Sequence, residues 1–195
     1  MYNSYLDNYY LDNNINFDDI NEINLNKFAS FIYAINAWSQ ILGILLSKCD
    51  KHYKRKIIIE NLYDENNNKL SHVETFYLFL KELDFNNEFK DINIDKNIVS
   101  SINYLRHIII CNDFDDCCQI LGSVEYIYQK ISTEIINWYK KKYNKEPNYH
   151  YTLHETLDIT HATELWKLSD KNIINENLEK GAKWILDLIR YIVSP

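Results

Sequence analysis

His154, Asp158 and His161 lie within the octapeptide HETLDITH at positions 154–161. In an α-helix each residue advances the chain by about 100°, so these three return to within about 60° of one another and form a single stripe. The stripe continues to Leu165 and therefore reads as a face to be buried. Carboxylates and imidazoles in a low-dielectric core need a partner. A metal ion is one, and nitrogen and oxygen donors suit iron, manganese or zinc. His150, one turn earlier, follows Asn148 and Tyr149 and reads as a polar first-turn residue.

One helix cannot enclose a metal, so further ligands are expected from facing helices. Glu125 falls four residues after Leu121 and three before Tyr128, where it interrupts an apolar stripe. A carboxylate there sits either at the edge of the apolar face or aimed inward. Glu65 and His72 occur in NLYDENNNKLSHVETFYLFLKEL at 61–83. Taken alone, His72 is an ordinary residue at a helix start. Together, Glu65, His72, Glu125, His154, Asp158 and His161 make three carboxylates and three imidazoles from separate segments. The ferritin-like form of a dinuclear site uses two E-x-x-H pairs; this chain has only Asp158-x-x-His161.

The elements that must position these residues are helices. Gly 3 and Pro 2 in 195 residues are far below the average of about 7% and 5%, and turn-rich β architectures need both. Periodicity predicts an acidic, flexible N-terminal arm at 1–16 and a single all-α domain over 17–195. Its helices are expected near 17–24, 25–49, 51–63, 71–84, 96–110, 114–143, 149–169 and 171–193. The helix from 114 is the clearest, since Leu121, Val124, Tyr128, Ile131, Ile135 and Trp138 step by three and four. Gly181 inside the last helix suggests a close helix contact.

The net charge of -7 argues against a general nucleic-acid binder, which requires a basic surface. The basic run KHYKRK at 51–56 reads as a solvated helix face. Cys49, Cys111, Cys117 and Cys118 show neither C-x-x-C spacing nor a disulfide framework, so a reducing cytoplasm is expected. The N-terminus lacks the charged and apolar regions of a signal peptide. The apolar stretch 28–46 is interrupted by Asn36, Ser39 and Gln40 and reads as a buried core helix rather than a membrane span.

NLYDE followed by His72, GSVEYIYQK carrying Glu125, and HETLDITH with its H-x3-D-x2-H spacing resemble the haem-oxygenase-like diiron oxidases, which share a fold with thiaminase II and pyrroloquinoline-quinone synthase. The Glu65-to-His72 interval is similar to that of the chlamydial branch concerned with p-aminobenzoate synthesis. The resemblance covers about residue 28 to the C-terminus. It implies a haem-oxygenase-like helical bundle and a non-haem diiron centre that activates dioxygen. Glu65, His72, Glu125 and His154 would surround one iron, and Asp158 and His161 would complete the second, with a bridging carboxylate. Glu65 and Glu125 are the implied catalytic carboxylates, and manganese is an implied substitute for iron.

The substrate implied is a small amino acid, amine or carboxylic acid. The reaction also needs an electron donor, which the sequence does not name. No nucleic acid or membrane partner is implied, and a homodimer is allowed. Two other readings compete: a non-catalytic helical interaction protein that keeps the fold, and a metal-free thiaminase-II-like hydrolase using Cys117 or Cys118. Tyr77, Tyr126 and Tyr128 flank the expected site, where core packing or a redox role could explain them. Arg106 could pair with a substrate carboxylate or serve a structural ion pair.

Overall fold

The computed structural model describes residues 1–17, 23–66, 70–171 and 173–194. Among these the regular elements are helical and no strand occurs. In chain order the α-helices are α1 (Tyr2–Asn13), α2 (Leu25–Ala29), α3 (Ile32–Lys48), α4 (His52–Asn66), α5 (His72–Glu82), α6 (Lys96–Cys111), α7 (Phe114–Tyr143), α8 (Tyr149–Leu168) and α9 (Glu176–Val193). A short 3₁₀ turn, Phe89–Asp91, precedes α6.

α7 is the axis of the bundle. Asp113 caps it by accepting a hydrogen bond from the Asp116 amide at 2.9 Å, and Asp115 and Asp116 occupy its first turn while Lys140, Lys141 and Lys142 occupy its last. Both ends therefore complement the helix dipole. Asn144 ends it in the left-handed region at φ 51°, a conformation that Asn tolerates at a helix C-terminus. From Cys117 to Gln129 every residue of α7 is buried. The helix is enclosed by α8 and α9 along its length, with α1 and α3 beside it.

The Gly181 contact is borne out. A Cβ built there would lie 2.1 Å from the Ile120 carbonyl oxygen and 3.1 Å from Ser123 Cβ, so α9 touches the backbone of α7. On the same helix, a Cβ at Gly122 would overlap the Trp166 indole of α8, at 2.4 Å. Two glycines thus let α8 and α9 close on α7.

Four expectations need correction. Residues 1–13 are not an arm but a docked helix: Tyr2, Leu6 and Tyr10, spaced by four, are buried. The Tyr2 hydroxyl donates to the Lys171 carbonyl at 2.9 Å, and the Tyr126 hydroxyl donates to Asp7 at 2.9 Å. Its acidic and Asn-rich outer face masked that stripe. The helix expected over 25–49 breaks at Ser30, whose hydroxyl donates to the Asn93 carbonyl at 2.9 Å and accepts from the Asp95 amide at 3.2 Å; this ties the entry of α6 to the break. α4 runs on to Asn66, so Glu65 is helical. The basic run is not wholly solvated, because Lys54 is buried and its Nζ donates to the Leu168 carbonyl at the end of α8 and to Asp170. A cation at a helix C-terminus meets its orphan carbonyls and its dipole. Most of the helix expected near 17–24 falls on 18–22, outside the described residues, and Asn24 caps α2.

The stretch Leu25–Lys48 has the length and apolar composition to cross a membrane, and half of an 18-residue apolar window within it is buried inside the bundle. Asn36 and Gln40 lie on its exposed side, so the polar interruptions face outward.

The two glycine environments predict opposite outcomes. Gly181→Ala forces α9 away from α7 at a cost of about 1–3 kcal/mol, which at about 2–4 °C per kcal/mol for a chain of this size lowers the melting temperature measurably. Gly43→Ala in α3 meets nothing within 4 Å and should hold or raise it, since alanine favours a helix interior. Thermal denaturation of both variants checks this; an unchanged Gly181→Ala melting temperature would contradict the tight α7–α9 contact.

Candidate metal centre

The six residues singled out in sequence converge inside the bundle. Glu65 comes from the last turn of α4, His72 from the first residue of α5, Glu125 from the middle of α7, and His154, Asp158 and His161 from α8. All six are buried. The Ser71–Glu74 capping box, with Ser71 Oγ accepting from the Glu74 amide and Glu74 accepting from the Ser71 amide, fixes the turn on which His72 stands.

The imidazoles share a pattern. His72 Nδ1 lies 2.9 Å from Glu65 Oε2, His154 Nδ1 lies 2.9 Å from Asp158 Oδ1, and His161 Nε2 lies 3.3 Å from Asp64 Oδ2. The other ring nitrogen of each, His72 Nε2, His154 Nε2 and His161 Nδ1, is buried without a partner. A buried polar atom left unpaired costs about 1–3 kcal/mol. Carboxylates that hold one face of an imidazole while its second nitrogen points at a cation are the usual surroundings of metal-bound histidines.

The carboxyl groups complete the picture. Glu65, Glu125 and His161 bring one donor atom each to within 4.8 Å of one another. Glu125 Oε1 accepts from the Trp38 indole N–H at 2.9 Å. Burial, then repulsion from Asp158 and Glu65, pushes the Glu125 carboxyl well above its usual range. Burial followed by Glu65 does the same to Asp158. Burial also opposes ionisation of Glu65, but its bond to His72 and the fields of His72, His154 and His161 outweigh it and hold Glu65 low. His154 is driven down to about 3 by burial and by His72. The core therefore favours neutral groups wherever no cation compensates. Three carboxyls and three imidazoles buried together match the donor chemistry of a pair of divalent metals. The resemblance implied His161 beside Asp158 at a second iron, whereas here it shares the tight group with the two glutamates.

A narrow pocket, with a cavity of about 50 Å3, reaches this cluster between α3, α4, α7, α8 and α9. Glu65, Glu125 and His154 line it together with Phe31, Trp38, Tyr128 and Trp184.

Of the flanking tyrosines, only Tyr128 lines the pocket; its ring centre is 5.1 Å from that of His154, and burial pushes its phenol far up. Tyr126 faces Asp7 on α1, and Tyr77 donates to the Asn87 carbonyl. Arg106 is bound to Asn103 and Gln40 and does not line the pocket. The cysteines are poor nucleophiles: burial pushes the Cys117 thiol up to about 12 and raises Cys118 further. Neither lines the pocket.

Sequence reasoning missed three contributors. His150, read as a polar first-turn residue, is fully buried, and its place one turn before His154 on nearly the same stripe was the available signal. Asp64 precedes Glu65 and reaches His161 because α4 extends a turn further than expected. Trp38 meets Glu125 across the bundle, a contact with no local sequence signal.

No protein-family profile and no curated protein matches this chain in sequence. Among solved structures it is similar to a CADD-like protein of unknown function from Nostoc punctiforme. The TM-score is 0.73 at 12% identity, covering 98% of this chain and 94% of that one. At that identity the likeness establishes the fold, which is the haem-oxygenase-like helical bundle.

The polar stripe predicts a metal-dependent α8. Orphaned nitrogens on a buried face lower the local stability of residues 149–168, and metal binding would remove that penalty. Amide hydrogen exchange there should slow markedly on anaerobic addition of Fe(II). Equal, strong protection in both states would mean that packing alone holds the helix.

Proposed function

We propose that this chain is a non-haem diiron enzyme that uses dioxygen to oxidise a small amino acid, amine or carboxylic acid. The observation that carries the reading is the set of buried imidazoles on α5 and α8. His72, His154 and His161 each have one nitrogen held by a carboxylate and the other unpartnered, around two glutamates that line a pocket. Glu65, His72, Glu125, His154, Asp158 and His161 would hold the metals, with manganese able to replace iron. When bound, the pair would supply the electrons and the oxygen-binding positions that protein side chains lack.

The chain's own groups do the rest. Trp38 donates to Glu125 Oε1 and so fixes the orientation of the carboxylate beside Glu65 and His161. The Glu65–His72 and His154–Asp158 bonds fix which ring nitrogen faces the centre. Phe31, Tyr128 and Trp184 give the pocket an apolar lining that would accept the hydrocarbon part of a substrate. An external reductant is required. Four unbridged cysteines fit the reducing cytoplasm in which such a donor would be found.

A purely interacting helical protein has no reason to bury this donor set, and metal content separates the two readings. Anaerobic loading should give close to two equivalents of Fe(II) by elemental analysis, with a new visible absorption on exposure to oxygen. Glu125→Ala should lose both equivalents, because its carboxylate is shared, whereas His161→Ala should lose about one. Absence of stoichiometric iron in the native chain would overturn the reading; equal losses in the two variants would remove Glu125 as the shared ligand.

A further inference from the structure

We propose that His150 is a further metal ligand, which gives Nε2 to the ion held by His72 and His154 and makes that position nitrogen-rich. The inference rests on the dinuclear reading above and goes beyond its six ligands.

His150 is fully buried in the first turn of α8. The Thr75 hydroxyl, with one hydrogen to give, donates it to the His72 carbonyl at 2.9 Å. It also lies 2.9 Å from His150 Nδ1, so there it must accept. Nδ1 therefore carries the ring proton, and Nε2 is left with a lone pair. That lone pair is buried and unpartnered, as are those at His72 Nε2 and His154 Nε2. A single Thr side chain thus sets the tautomer that a metal ligand needs.

The three rings form one group. Their centres are 4.6 Å apart for His72 and His154, 4.7 Å for His150 and His154, and 6.5 Å for His72 and His150. The last is the separation that binding must shorten, since each nitrogen would approach the ion to about 2 Å. Phe76 and Tyr151 pack against the His150 ring, with centres at 5.2 and 4.8 Å. Neither contact supplies Nε2 with a hydrogen-bond partner.

The two metal positions are then unequal. Glu65, Glu125 and His161 make an oxygen-rich end, and His72, His150 and His154 make an imidazole-rich end. Carboxylates suit manganese and imidazoles suit iron or zinc, so the arrangement can hold two different ions.

Anaerobic calorimetric titration with Fe(II), on wild type, His150→Phe and Thr75→Val, tests this. Wild type should bind two equivalents. His150→Phe should keep one tight equivalent and bind the second at least about a hundredfold more weakly, while Thr75→Val should weaken the same equivalent about tenfold, the scale of losing an outer-shell partner. Metal-free His150→Phe should melt close to wild type, because removal of the unpaired buried nitrogen offsets loss of the Nδ1 bond to Thr75; His150→Gln serves if the larger ring does not fold. Two equivalents with unchanged affinities in wild type and both His150 variants would overturn the role of His150 alone. No binding in wild type would overturn the dinuclear reading along with it.

Discussion

Glu65, Glu125 and Asp158 present three carboxyl groups to one another in the buried core, and the helices around them are read from that constraint. Their mutual repulsion and burial push two of them toward the neutral form. Only Glu65, held by His72, is kept ionised. A hydrophobic core of the same volume would be more stable without any of these groups. The proposed metal pair would neutralise that charge and take the unpartnered imidazole nitrogens as ligands.

The packing serves that purpose. α7 can carry Glu125 at its centre because Gly122 and Gly181 bring α8 and α9 close to it. Trp38 reaches Glu125 from α3, and the capping box of α5 holds His72 over Glu65. α8 gains apolar contact mostly in its C-terminal half, through Ala162, Leu165, Trp166 and Leu168. Its end is clamped by Lys54, while its polar half faces the centre. Stability and site are thus divided along a single helix.

Much of this was legible in the sequence. The stripe His154, Asp158, His161 and the interruption at Glu125 follow from helical periodicity, and α7 runs over the predicted residues. Low Gly and Pro content indicated the helical class. What escaped has physical causes. α1 was hidden because its polar residues outnumber the Tyr2, Leu6 and Tyr10 stripe. Ser30 breaks a continuous apolar run through bonds to a loop some 60 residues away, which no local pattern encodes. His150 carries the same periodicity as His154 but lies beside the helix cap, where polar residues are ordinary; its burial arises from Thr75 and Phe76 on another helix.

The central claim is that this buried polar stripe is a dinuclear metal site. Anomalous diffraction at the iron absorption edge, on crystals grown and loaded with Fe(II) without oxygen, tests it most directly. The account predicts two peaks about 3.5–4 Å apart, the spacing of two-metal sites, bounded by Glu65, His72, Glu125, His154, Asp158 and His161. Loaded crystals with no anomalous peak between α4, α7 and α8 would contradict it.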